Sequence, residues 1–124
     1  LLQYQIPKLI LQPLIENSLE HGLANKSGEW RIVLEGRLTL EGDLLLTLED
    51  NGVGIEPDRL LQIQDSLRHG AESSLKTSSH IGLCNVNSRI KLSFSEDKYG
   101  ISITSIYGEG TTVCVLTKAL RQTV

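Results

Sequence analysis

The sequence predicts an α+β fold, a two-layer α/β sandwich in which helices cover one face of a mostly antiparallel sheet. Three observations lead there. Apolar residues recur at helical spacing in two separated segments. Two pairs of alternating apolar runs are each joined through a glycine-containing turn. Their order is helix, two strands, loop, helix, two strands, with no repeats and no internal linker. At 124 residues, with 40% hydrophobic and 22% charged side chains, the chain (1–124) has the size and composition of one soluble globular domain with a single core.

In the first helix, "PKLILQPLIENSLEHG", Leu9, Ile10, Leu14, Ile15 and Leu19 stand near helical spacing, and Gly22 is placed as the stop. Pro13 lacks a backbone donor, so either the helix kinks there or its regular part begins there. Asn17, Glu20 and His21, at i, i+3 and i+4, share one face. "WRIVLEGRLTLEGDLLLTLED" then reads as two strands joined around Glu41-Gly42-Asp43, the second ending at Asp50. A short helix over 57–68 precedes a Ser-rich stretch with few apolar anchors, which reads as a mobile loop. "IGLCNVNSRIKLSFS" carries Ile81, Leu83, Val86, Ile90 and Leu92 or Phe94 on a broad apolar helical face. "YGISITSIYGEGTTVCVLTKAL" closes with two strands joined through Gly108-Glu109-Gly110.

Composition excludes several classes. A net charge of −3 and a pI near 5.6 argue against a nucleic-acid surface, and one Phe, three Tyr and one Trp make no base-stacking platform. Cys84 and Cys114 lack metal-ligand spacing, sit among apolar neighbours and imply no disulfide framework, which fits a reducing compartment. No signal peptide or membrane-length apolar run is present. The chain begins "LLQYQIPKL" without an initiator Met, so it is expected to be part of something longer, with any membrane span outside it.

"LEDNGVGIEPD", residues 48–58, is the stretch that asks most of function. Gly52 and Gly54 suggest positive φ or close approach by another group, while Asp50 and Asn51 are also ordinary turn formers. Four segments together decide between these readings. "LILQPLIENSLEHG", "EDNGVGI", "SHIGLCNVNSRI" and "GEGTTVCVL" resemble, in order and spacing, the N box, G1 box, G2 box and terminal Gly-Thr segment of the catalytic ATP-binding domain of sensor histidine kinases. That domain belongs to the GHKL superfamily shared with gyrase, Hsp90 and MutL, whose fold is the Bergerat sandwich. "LQPLIENSLEHG" and "IGLCNVNSRI" most resemble the LytS-type kinases.

The resemblance implies a site for ATP and Mg²⁺. Asp50 would accept a hydrogen bond from the adenine amine, a role suited to an acceptor-only carboxylate, since guanine presents an oxygen there. Gly52, Gly54 and Ile55 would bring backbone close to the nucleotide, and Thr111 would support the base through a water, or serve only as a β-former. Asn17 would hold Mg²⁺ through its amide oxygen, because magnesium keeps waters and phosphates as its other ligands. Glu16 would orient a metal-bound water or assist proton transfer, unless it is a plain surface carboxylate. His21 and His80 would meet phosphates. Backbone amides at Gly82 and Leu83, opening a helix, form an anion site. Residues 56–80 correspond to the ATP lid, whose Arg68, His69 and Lys76 would reach the phosphates on closure. Arg89, one turn from Asn85, reads better as a surface packing residue than as a phosphate ligand.

Departures from the family pattern refine this. Relatives that hydrolyse ATP carry a glutamate where this chain has Pro13, which can accept no proton, so transfer to a protein side chain is favoured over hydrolysis. Glu20 stands where the family often has Lys, His80 where it has Gly, and Cys84 where it has Arg. A carboxylate near the triphosphate costs roughly 1 kcal/mol, so modest ATP affinity is expected. The implied partners are a dimerisation and phosphoacceptor domain of the same protein, which would be a homodimer, and a response regulator. The implied location is the cytoplasmic side of a bacterial membrane. Two other readings stand beside this one: a serine-phosphorylating switch kinase of the same superfamily, and a degenerate interaction module that keeps only the fold.

Overall fold

The computed structural model describes residues 4–5, 8–23, 28–69, 81–94 and 96–121. The short β1 (Tyr4–Gln5) is followed by α1 (Lys8–Asn17), which runs on as a π-helical segment, Ser18–Leu23. Next come β2 (Ile32–Leu38), β3 (Asp43–Asp50), α2 (Pro57–His69), α3 (Ile81–Ser93), β4 (Gly100–Ile106), β5 (Gly110–Lys118) and β6 (Leu120–Arg121). The main sheet has the order β2-β3-β5-β4 and is antiparallel throughout, while β1 pairs with β6.

Period-two alternation places the core. Leu44, Leu46 and Leu48 of β3, Ile101 and Ile103 of β4, and Val113 and Val115 of β5 point to the same side and are buried. Leu14 of α1, Ile63 and Leu67 of α2, and Leu83, Val86 and Ile90 of α3 meet them from the helix layer. Each such side chain contributes about 1.5–3 kcal/mol when taken from water. The opposite face of the sheet carries no helix among the described residues. Helix α3 anchors with Phe94, packed against the core, rather than with Leu92, which is 89% exposed.

Local expectations shift in three places. Pro13 lies inside α1, and helical structure passes through Gly22 to Leu23, where the sequence suggested a stop. The β2–β3 turn is Thr39–Gly42, closed by Gly42 N–H donating to Thr39 O at 3.0 Å, and Asp43 opens β3 instead of shaping the turn. Its carboxylate is committed elsewhere: Oδ1 accepts from Tyr99 Oη at 2.7 Å, and Oδ2 lies 2.9 Å from Lys98 Nζ, which also meets Glu41 at 2.7 Å. The span expected as lid divides. Residues 57–69 form α2, with Ile63 and Leu67 in the core, whereas 70–80 lie outside the described residues.

One buried amide couples the helix layer to the sheet. Asn87 of α3 donates from Nδ2 to Leu67 O of α2 at 2.7 Å, and its Oδ1 accepts from Ile101 N–H of β4 at 2.8 Å. Without it, a helix carbonyl and an edge-strand N–H would both be buried unpaired.

Candidate nucleotide site

Asp50 closes β3 with the same parity as Leu44, Leu46 and Leu48, so its carboxylate lies on the helix-facing side, and the residue is 5% exposed. Oδ1 accepts from Gly52 N–H at 2.9 Å, which folds the chain back sharply after the strand. Directly opposite on β5 is Thr111, also buried. Its hydroxyl lies 2.9 Å from Ser105 Oγ of β4. Ser105 in turn donates to Gly110 O at 2.8 Å and accepts from Ile55 N–H at 2.9 Å. A hydroxyl has one proton, so with that of Ser105 on the Gly110 carbonyl, Thr111 donates to Ser105. The remaining lone pairs of Thr111 are then acceptors beside Asp50. Ser105 escaped the sequence reading, and its only signal is a polar residue in an otherwise alternating strand.

The glycines of this turn answer first to the fold. Gly54 has φ +76°, and a Cβ there would strike Ile106 O and come within 2.8 Å of Tyr107 Cα. Gly108 N–H donates to Val53 O at 2.6 Å, tying the β4–β5 turn onto the segment after β3. A Cβ on Gly110 would likewise fall on Asp50 O. Asn51 is a clasp: its Oδ1 accepts from Arg31 N–H at 2.8 Å and its Nδ2 donates to Glu29 O at 3.0 Å, fixing the approach to β2.

Asn17 ends α1 and is 8% exposed, and its Oδ1 is buried with no hydrogen-bond partner among the described residues. A buried carbonyl oxygen left unpaired costs about 1–3 kcal/mol, so the position suits a ligand that would occupy it. One neutral oxygen matches what magnesium asks of a protein when phosphates and waters complete its shell. Among the described residues, no group of three or more His, Cys, Asp and Glu could hold a metal. Glu16 is exposed and accepts from Gln12 Nε2 at 2.9 Å. His21 is half-buried, its Nε2 3.6 Å from the carboxylate of Glu20.

Gly82 and Leu83 occupy the first turn of α3, where backbone N–H groups lack intrahelical acceptors. The Leu83 side chain belongs to the core, as does Ile55, so both offer a ligand backbone and little else. Burial raises the thiol pKa of Cys84. Arg68 is exposed, whereas His80, Lys76 and the side chain of His69 lie outside the described residues. Two cavities, of about 310 and 290 Å³, reach Asp50. Val33, Glu49 and Asn51 line the first, Thr104, Ser105, Thr111 and Thr112 the second, and neither includes Asn17. The acid and the amide therefore do not share either cavity.

The site thus sets an acid at the tip of one central strand of a helix-backed antiparallel sheet, and on the first helix an amide oxygen with no hydrogen-bond partner among the described residues. The family model described as "Histidine kinase-, DNA gyrase B-, and HSP90-like ATPase" matches residues 4–121, and the chain belongs to that family. It is similar to sensor histidine kinase YesM of Bacillus subtilis, 33% identical over 110 residues, covering 89% of this chain and 16% of YesM. It is also similar to sensor protein kinase HptS of Staphylococcus aureus, 32% identical over 110 residues, covering 88% of this chain and 20% of HptS. Among solved structures, it shares its fold with the histidine kinase domain of the blue-light activated kinase EL346 of Erythrobacter litoralis. There the TM-score is 0.57 at 18% identity, covering 88% of this chain and 44% of that one. By that family model the chain is an ATP-binding domain of the ATPase type, and these curated relatives are sensor histidine kinases. It spans only a sixth to a fifth of the length of those two relatives.

Proposed function

We propose that this domain binds Mg·ATP and donates the γ-phosphate to a histidine on a separate dimerisation domain of the same protein, which then passes it to an aspartate of a response regulator. The observation that carries the proposal is the buried Asp50 carboxylate held across the sheet from Thr111. Asp50 accepts from the adenine amine, and the lone pairs of Thr111 take up a bridging water. Asn17 Oδ1 holds Mg²⁺, which supplies charge neutralisation at the phosphates. Glu16 and His21 stand beside that amide on the same helix, Glu16 orienting a water and His21 meeting a phosphate, while the amides of Gly82 and Leu83 bind phosphate oxygens. Gly52, Gly54 and Ile55 place backbone beside the base. His80 and the rest of the lid reach the phosphates on closure.

In the transfer, the bond from the γ-phosphorus to the bridging oxygen breaks as a nitrogen–phosphorus bond forms, and ADP leaves with the electron pair. Pro13 offers no base to activate water, which favours the protein acceptor. The reading includes a LytS-type membrane sensor of a bacterium, with this domain on the cytoplasmic side. Among the described residues, no helix is long and apolar enough to cross a membrane.

The test is to mix the chain with a histidine-bearing dimerisation domain and γ-labelled ATP, then characterise the phosphoprotein. Label that survives alkali and is lost in acid is expected of a phosphohistidine. Acid-stable label on serine would instead favour the switch kinase, and failure to bind ATP would leave an interaction module.

A further inference from the structure

The two edges of the main sheet are treated differently. On β4, side chains from the helix layer seal the outward backbone groups: Gln64 Nε2 donates to Ile103 O at 2.9 Å, and Asn87 Oδ1 accepts from Ile101 N–H at 2.8 Å. On β2 every residue after Ile32 is exposed, Leu34 by 39% and Leu38 by 42%. An uncovered edge of this length is a template for another strand.

The direction of its free groups is fixed. Asn51 N–H donates to Arg31 O and Thr39 N–H to Asp43 O, so Arg31 and Thr39 turn their backbone toward β3. By the two-residue period, Val33, Glu35 and Arg37 do the same, leaving Ile32, Leu34, Gly36 and Leu38 to aim N–H and C=O away from the sheet.

We infer that this edge pairs with β2 of a second copy of the chain, antiparallel about a two-fold axis at Gly36, making one continuous sheet of eight strands, four from each copy. The outward groups allow a two-fold only at whole-residue positions, and charge together with strand overlap selects among these. Centring on Leu34 sets Arg31 against the other copy's Arg37, centring on Glu35 opposes two glutamates, and centring on Arg37 opposes two arginines. Centring on Val33 also sets Arg31 against the other copy's Glu35, but only residues 32–34 of β2 then overlap, against 34–38 for Gly36. Centring on Gly36 sets Glu35 against the other copy's Arg37 twice, and Arg31 against its Glu41. The same register places Leu34 against the other copy's Leu38, so four half-exposed leucines form one apolar stripe on the helix side. Glu35 and Arg37 fall in the non-hydrogen-bonded pair, where side chains approach most closely. Gly36 at the axis leaves the stripe open between the leucines, and a Cβ there would meet Leu46 Cδ2 of β3 at 3.2 Å. The sequence predicts a half-buried strand here, and the exposed residues are the part that a second copy would cover.

Sedimentation velocity over a dilution series tests this with no nucleotide present, so its outcome is separate from that of the kinase proposal. The unaltered chain is expected to dimerise reversibly, more tightly at low salt. Glu35→Arg and Arg37→Glu, each setting like charges opposite each other twice, should each weaken self-association by about tenfold. An equimolar mixture of the two variants should regain the dimer, because each variant's altered side chain then faces its opposite charge. An unaltered chain that stays monomeric throughout overturns the inference. So does association indifferent to both swaps, or a mixture that fails to pair.

Discussion

Asp50→Asn is the sharpest probe of the nucleotide site because it separates fold from recognition. The oxygen that accepts from Gly52 N–H at 2.9 Å can remain an oxygen in the amide, so the turn after β3 keeps its bond. The other carboxylate oxygen becomes an NH₂ group, which confronts the adenine amine donor to donor. A hydrogen bond to a charged group contributes about 1.5–3 kcal/mol, so losing it weakens ATP binding by about 10- to 150-fold. The same amide presents a donor to the O6 acceptor of guanine, so GTP should lose less than ATP and the preference between them should narrow. Calorimetric titration of both nucleotides with magnesium measures this, and thermal unfolding checks that the variant is folded. A folded variant with undiminished ATP affinity would refute the assignment of Asp50 to the base.

Asn17→Ala removes a buried oxygen that has no partner among the described residues and whose unpaired state costs about 1–3 kcal/mol, so the nucleotide-free domain should unfold no more easily than the unaltered one while the magnesium dependence of ATP affinity disappears. Retained magnesium dependence in titrations would exclude Asn17 as the ligand. Asn87→Leu strands the Leu67 carbonyl and the Ile101 N–H, each a loss of about 1–3 kcal/mol, so urea denaturation should show a domain weaker by about 2–6 kcal/mol. The Asp43 network gives stability a pH profile with two limbs. Hydrogen bonds from Lys98 and Tyr99 hold the Asp43 carboxyl below its ordinary 3.8, so its contribution is present above that value and lost as pH falls through the folded pKa. Hydrogen bonding to Asp43 raises Tyr99 above its ordinary 10.0, and bonds to Glu41 and Asp43 raise Lys98 above its ordinary 10.5. Their contributions are present below those values and fade as pH climbs through the folded pKa values. Asp43→Asn should flatten the acid limb in thermal melts taken across pH.

The main sheet was readable from the sequence because alternation and turn chemistry act locally. Leu44, Leu46 and Leu48, or Val113 and Val115, announce an inward face without knowledge of anything distant. The candidate site was readable only as a pattern of four segments, since no single box distinguishes Asp50 from a turn former. What escaped depends on pairing between remote residues. Ser105 becomes an organiser only because β4 sets it against Thr111 and Ile55. Asp43 leaves the turn only because Tyr99 and Lys98 arrive from far along the chain. Gly54 invited a nucleotide explanation, but the demand for a bare backbone comes from the approach of Ile106. Gly22 stands one residue before the end of the helical run at Leu23, a difference no larger than the one or two residues by which helix ends vary.

Asn87 has a consequence for the stretch between α2 and α3. By grasping Leu67 near the end of one helix from within the next, and Ile101 in the sheet at the same time, it pins both flanks of 70–80 to a common frame. The ends of α2 and α3 that face each other across this stretch therefore keep a separation set by the core, and a change at Asn87 would loosen helix from helix and helix from sheet at once.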